Sequence, residues 1–172
     1  MKNILVVVDM QNDFIDGALG TKEAEAIVDK VVDKIKAFDG DIYVTYDTHF
    51  ENYMDTDEGK NLPVRHCIKD TEGWQLNAKV RAVLDEKDCV TEIEKYTFGS
   101  ILLPELIEPE DDMTIDLVGL CTDICVVSNA LILKAHFPES RIRVDSSCCA
   151  GVTPETHNAA IATMKMCQIK EI

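Results

Sequence analysis

Thr114-Ile115-Asp116-Leu117-Val118-Gly119-Leu120-Cys121-Thr122-Asp123-Ile124-Cys125-Val126-Val127-Ser128-Asn129-Ala130-Leu131-Ile132-Leu133 passes from an apolar run into a helix-period segment through one short turn. Residues 114–118 read as a buried strand, and the residues from 125 onward as a helix. Thr122 suits the N-cap and Asp123 the first helical turn. Cys125 then falls near the third helical position. Backbone N–H groups there lack intrahelical partners and the helix dipole is positive, and both effects favour a thiolate. The same N–H groups can hold a developing oxyanion. Cys125 is therefore a candidate nucleophile, against the plainer reading of a small apolar residue packed in the core.

The alternation of strand and helix continues outward in both directions. Strands are expected at Ile4–Val8, Ile42–Tyr46, Val90–Ile93 and Ile142–Val144, with a last edge strand at Gln168–Glu171. Helical periodicity marks Glu23–Phe38, Trp74–Leu84, Ile101–Ile107, Cys125–Ala135 and Pro154–Met166. Strands of near-continuous apolar character separated by helices mean a parallel sheet covered on both faces. The expected fold is α/β: a three-layer, doubly wound, Rossmann-like and mostly parallel sheet. No repeat or linker divides the chain, and 172 residues suit a single domain spanning 1–172.

Charge and composition exclude whole classes of partner. A net charge of −15 argues against nucleic acid and against an anionic membrane surface. No apolar stretch is long enough to span a bilayer, and Met1-Lys2-Asn3 runs into a strand with no signal-peptide anatomy. The seven cysteines are an odd number and form no zinc-type Cys-x-x-Cys pair, so free thiols in a reducing cytoplasm are expected. Asp9-Met10-Gln11-Asn12-Asp13-Phe14 stands where a Gly-x-Gly-x-x-Gly cradle would follow the first strand, which argues against a dinucleotide.

Doubly wound sheets bind ligands at the carboxyl ends of their strands. Asp9, Asp47 with His49, Lys95 and the Cys125 turn all fall there. Asp9, Lys95 and Cys125 form one constellation: a base for the thiol proton and a cation to hold the thiolate. Asp47, His49, Glu58 and His66 form a second, suited to a divalent cation such as zinc, manganese or iron. Asp47 and His49 lie two apart on an extended segment and point the same way. The interval Asp47–Gly73 lacks periodicity, and a loop that long in a compact domain is usually functional.

Val7-Val8-Asp9-Met10-Gln11-Asn12-Asp13-Phe14, Asp47-Thr48-His49, Leu62-Pro63-Val64-Arg65-His66-Cys67, Lys95 and Gly119–Val126 occur in that order, followed by Asp145–Val152. Together they resemble the isochorismatase-like cysteine hydrolases, within them the nicotinamidase/pyrazinamidase branch, over essentially the whole chain. The resemblance implies an amidohydrolase with the triad Asp9, Lys95 and Cys125. It implies a cis peptide before Cys121 and an oxyanion hole from the N–H groups of Cys121 and Cys125. It implies one divalent metal, zinc foremost, on Asp47, His49 and His66, with Glu58 as a fourth ligand. Phe14 matches the aromatic wall of the substrate pocket, and Trp74 is a second candidate wall. The expected substrate is a small amide, nicotinamide first, and the expected assembly a homo-oligomer. Tyr96-Thr97-Phe98-Gly99-Ser100 departs from the Tyr-Ser-Ala-Phe-like stretch that follows the lysine in many nicotinamidases. That leaves the amidase chemistry intact but opens the same triad to another small amide or ureide; a third reading, a non-catalytic binding protein on this fold, is opposed by the complete set Asp9, Lys95 and Cys125.

Overall fold

The computed structural model describes residues 2–172. Its centre is a six-stranded sheet in the order β3-β2-β1-β4-β5-β6, with every pairing parallel. The strands are β1 (Lys2–Val8), β2 (Asp41–Asp47), β3 (Val90–Lys95), β4 (Met113–Leu120), β5 (Arg141–Ala150) and β6 (Lys170–Glu171). The chain first winds outward from β1 through β2 to β3, then returns to the other side of β1 for β4, β5 and β6. The β1/β4 junction is thus the point at which the strand order reverses.

The period-2 geometry of β1 explains the three layers. Ile4 to Val8 are all fully buried, and alternate residues feed opposite cores. Leu5 and Val7 join a cluster with Ile27, Val31 and Ile35 of α2 (Lys22–Ala37) and Val80 and Leu84 of α4 (Ala78–Leu84). Ile4, Val6 and Val8 join Leu103 of α5 (Leu102–Leu106), Leu133 of α6 (Val127–His136) and Met164 of α7 (Pro154–Met166). Each fully buried aliphatic side chain contributes about 1.5–3 kcal/mol. A strand buried on both sides is therefore strongly fixed in register.

Helix starts follow local chemistry. Thr21 accepts a hydrogen bond from Ala24 N–H to cap α2. Thr153 caps α7 in a reciprocal capping box with Thr156, and Pro154 opens the helix. Several boundaries differ from expectation, three of them with a clear local cause. The helix expected at Trp74–Leu84 begins at Ala78, because Leu76 bridges to Gln11 and Asn77 N–H donates to the Met10 carbonyl, at 2.9 Å. The strand expected at Ile142–Val144 extends through polar Asp145-Ser146-Ser147 to Ala150. An irregularity opposite Leu117–Gly119 lets it pair again at Cys149 and Ala150. The last edge strand shortens to Lys170–Glu171 because Gln168 turns at φ 66°. Among the described residues no helix is long and apolar enough to cross a membrane.

Candidate active site

Four strand ends deliver the chemistry to one place. Asp9 follows β1 at φ 48°, in the left-handed region that an Asp tolerates better than most residues. Asp47 ends β2, Lys95 ends β3, and the Cys125 turn follows β4. Gly119, at φ 116°, permits the close approach beside Asp9: a Cβ there would lie 2.1 Å from the Val8 carbonyl oxygen. The peptide between Leu120 and Cys121 is cis, as the resemblance implied.

Lys95 Nζ is the hub. It lies 2.7 Å from Asp9 Oδ2, 3.1 Å from Asp47 Oδ1 and 3.3 Å from Cys125 Sγ. All four residues are buried. Thr45 Oγ1 donates to Asp9 Oδ1 at 2.7 Å. Asp9 Oδ2 meets the Lys95 ammonium at 2.7 Å, and among the described residues no other polar side chain or backbone group bonds to it.

Electrostatics here depart from the sequence expectation. Burial is the largest influence on Cys125, and with the Asp9 carboxylate it outweighs the Lys95 ammonium, so the thiol sits well above its usual range. Burial therefore works against the lowered thiolate pKa that the helix terminus and the lysine alone would give. Desolvation decides the sign, because one cation cannot offset burial plus two carboxylates. Burial also raises the Asp9 carboxyl, against the opposing charge of Lys95. Burial disfavours the charge on Lys95, but the Asp9 carboxylate first, with the Asp47 carboxylate beside it, overcomes this and holds the amine protonated.

The turn itself is wider than a regular helix start. Residues Thr122–Val126 form a π-helical turn with Cys121, not Thr122, at the cap position. The Cys121 carbonyl accepts from Ile124 and Val126 N–H groups and passes over Cys125. The Thr122 hydroxyl, expected to cap, instead pairs with His157 Nδ1 at 2.8 Å. Asn129 Nδ2 donates to the Cys125 carbonyl at 2.8 Å, while its Oδ1 accepts from Ser100 N–H.

Beside the hub, one ligand atom each from Asp47, His49, Glu58 and His66 lies within 4.8 Å of the others. Asp47 Oδ2 is 3.0 Å from His49 Nε2 and 3.5 Å from His66 Nε2. Glu58 Oε1 is 3.5 Å and 3.6 Å from the same two nitrogens. Ligand atoms about 2.0–2.2 Å from one ion lie about 3–3.6 Å apart, so these four pairs, at 3.0–3.6 Å, are compatible with a shared divalent cation. His66 Nδ1 donates to the Val64 carbonyl at 2.8 Å, which aims Nε2 at Asp47 and Glu58, the position from which it would ligate a metal once deprotonated. Burial opposes ionisation of Asp47, but the two histidines and Lys95 hold its carboxyl well below the usual range.

The loop that carries this cluster is pinned at both ends. His49 N–H donates to the Cys67 carbonyl at 2.9 Å, and Cys67 N–H to Asp13 Oδ2 at 2.7 Å. Glu58 rides on α3 (Asp57–Asn61), capped by Thr56. Gln11, fully buried, donates to the Asp47 and Trp74 carbonyls and accepts from Asp47 N–H at 2.8 Å. Its place in the first motif was visible, but its positioning role was not. An amide side chain reveals its partners only when the loops are closed.

A cavity of about 660 Å³ opens over Cys125 and this cluster. Phe14, Leu120, Cys121 and Ile124 line it, with Asp47, Glu58 and His66 on one side. Trp74 is not among its walls. The indole packs on Tyr46 with ring centroids 5.1 Å apart and donates to Thr48 Oγ1, so the expected second wall is instead a half-buried residue packed against the core. Tyr96 and Phe98 take that place; they follow Lys95 directly in the sequence.

The sequence signature of the isochorismatase domain matches residues 3–170. The nicotinamidase of Saccharomyces cerevisiae is 28% identical over 174 aligned residues, covering 74% of this chain and 79% of that protein. The crystal structure of a nicotinamidase/pyrazinamidase from Bacillus subtilis superposes with a TM-score of 0.81, 26% identity and 99% of each chain covered. A pyrazinamidase of Pyrococcus horikoshii in complex with zinc gives a TM-score of 0.80 at 26% identity, over 100% of this chain and 99% of that one.

Proposed function

The chain belongs to the isochorismatase family, and from that premise we propose that it is a cysteine-dependent amidohydrolase that converts nicotinamide to nicotinate and ammonia. The observation that carries the reading is the convergence of Asp9 and Cys125 on the Lys95 ammonium, at 2.7 Å and 3.3 Å, beneath a mostly apolar cavity that Cys125 lines.

As Cys125 Sγ attacks the amide carbon, its proton passes to the Asp9 carboxylate, whose Oδ1 is already held by Thr45 and whose Oδ2 faces Lys95. Lys95 carries the opposing charge while the thiolate character grows. The carbonyl oxygen, now negative, faces the N–H groups of Cys121 and Cys125. Collapse breaks the C–N bond, Asp9 returns the proton to the departing nitrogen, and ammonia leaves a thioester on Cys125. Water, deprotonated by Asp9, then attacks the thioester. Its products are the carboxylic acid and the restored thiol.

Asp47, His49 and His66, with Glu58, would hold one divalent cation, and zinc suits the two-imidazole, two-carboxylate donor set best. When bound, it supplies an electrophilic anchor for a ring nitrogen, so its contribution is orientation. Phe14 supports the ring from the buried side. All seven cysteines are free, which supports a reducing, cytoplasmic setting.

Ammonia release from nicotinamide, pyrazinamide, an aliphatic amide and a ureide, each with and without chelator, tests the reading. Aromatic amides turned over fastest, with KM rising on chelation, is the expected result. Preference for the ureide, indifferent to chelator, would transfer the same triad to the alternative substrate class.

A further inference from the structure

The cavity is too large for a single ring. Even at about 30 Å³ each, the volume that one water molecule occupies in the liquid, the about nine non-hydrogen atoms of a single-ring carboxamide take up no more than about 270 Å³. The cavity offers about 660 Å³. The unused part has a definite character. Leu62, Tyr96, Phe98 and Val152 line the cavity yet are 38%, 59%, 46% and 51% exposed. They come from three separate segments: the loop after α3, the loop after β3 and the loop after β5. Large apolar side chains facing water around the mouth of an apolar cavity form a contiguous patch of the kind that meets a ligand. No Arg or Lys stands among the lining residues, while Asp57 and Glu58 do. An anionic extension therefore has no partner there.

We infer that the enzyme hydrolyses aromatic carboxamides bearing an apolar substituent on the ring, and that Leu62, Tyr96, Phe98 and Val152 form the subsite for that substituent. The inference rests on the proposed reading of Cys125 as nucleophile and of the Asp47 cluster as the anchor for a ring nitrogen. Ring geometry then fixes where the substituent stands. The meta positions of a six-membered ring point about 120° apart, and in nicotinamide the carboxamide and the ring nitrogen occupy two of them. The third, ring carbon 5, points away from both Cys125 and the anchor, and so toward the mouth. A phenyl group at that carbon would desolvate the collar, which the bare ring leaves in water.

Steady-state ammonia release from nicotinamide, 5-phenylnicotinamide and 5-carboxynicotinamide tests this on the intact protein. The phenyl compound is expected to show a KM lower by about tenfold, the scale of burying a few methylene equivalents, and a kcat/KM at or above that of nicotinamide. The carboxy compound is expected to fall below nicotinamide. Val152→Trp, which fills the collar, should cut the phenyl-to-nicotinamide ratio of kcat/KM by about tenfold. A wild-type kcat/KM for the phenyl compound below that of nicotinamide overturns the subsite while leaving the amidase reading standing. A second copy of the chain seated over the collar would exclude the phenyl group and give that same overturning result. Absence of ammonia from all three compounds overturns the amidase reading, and the subsite with it.

Discussion

Replacing Lys95 by Met removes the ammonium and keeps most of the stem. The nitrogen lies 2.7 Å from Asp9 and 3.1 Å from Asp47, and Lys95 and Asp9 are 2% and 0% exposed. Removing one partner of a buried ion pair costs about 3–5 kcal/mol, because the charge left behind is uncompensated and out of water. The variant has one escape, which is for Asp9 to bind a proton. Burial already raises the Asp9 carboxyl above 3.8, and the Lys95 charge is the strongest influence against it. Loss of Lys95 drives the carboxyl higher still. A carboxyl raised in the folded state favours folding when protonated. That contribution is full below the unfolded value and disappears as pH rises through the folded one. Lys95→Met should therefore lag wild type most at about pH 8. It should recover by up to about 1.4 kcal/mol per unit as pH falls toward about 5. Urea unfolding of both proteins in chelator, at both pH values, measures this. A variant within about 1 kcal/mol of wild type throughout, with no pH dependence of the difference, would refute the buried hub as drawn.

Three further outcomes follow from the same geometry. The kcat/KM for nicotinamide should rise with pH as Asp9 ionises, with its midpoint above 3.8, while Cys125 contributes no ultraviolet thiolate signal below pH 9.0 relative to Cys125→Ala. A thiolate signal at neutral pH would contradict the dry-pocket account. Elemental analysis should find about one zinc per chain after reconstitution and none bound to His66→Ala, whose KM should rise more than its kcat falls. A wild-type protein that stays metal-free after incubation with zinc, manganese and iron, yet works at full rate, would refute the metal role. Gln11→Leu leaves the Asp47 N–H and two carbonyls without their partner, so it should lower stability by about 3 kcal/mol in urea unfolding. A loss below about 1 kcal/mol would show that Asp47 is held by other means.

Much of the fold was legible because its strands are buried on both faces. Ile4–Val8 reads as a continuous apolar run and Thr114–Val118 as an apolar-rich one, and each lies in the middle of the sheet. β5 was read short because Asp145-Ser146-Ser147 interrupt the pattern. Asp145 pairs with Lys34 at 3.0 Å, and a polar residue satisfied by a distant helix leaves no local trace. The site residues were legible where chemistry and strand ends coincide: Asp9, Asp47, His49, Lys95 and Cys125 all stand where a doubly wound sheet places ligands. The misreadings come from pairings distant in sequence. Thr122 looks like a cap until His157 claims its hydroxyl. Trp74 looks like a pocket wall until Thr48 and Tyr46 hold it against the core. The sign of the Cys125 shift depends on how dry the pocket is, which composition around one turn does not reveal.

The central claim is that Cys125 carries the covalent step, and ammonia release by Cys125→Ala, measured beside Cys121→Ala, tests it most directly. Both cysteines line the cavity four residues apart, but only the backbone of Cys121 is assigned a role. The account predicts that Cys125→Ala loses at least about 10⁴-fold in kcat while Cys121→Ala stays within about tenfold of wild type. A Cys125→Ala protein that still releases ammonia near the wild-type rate, or a dead Cys121→Ala beside an active Cys125→Ala, would contradict it.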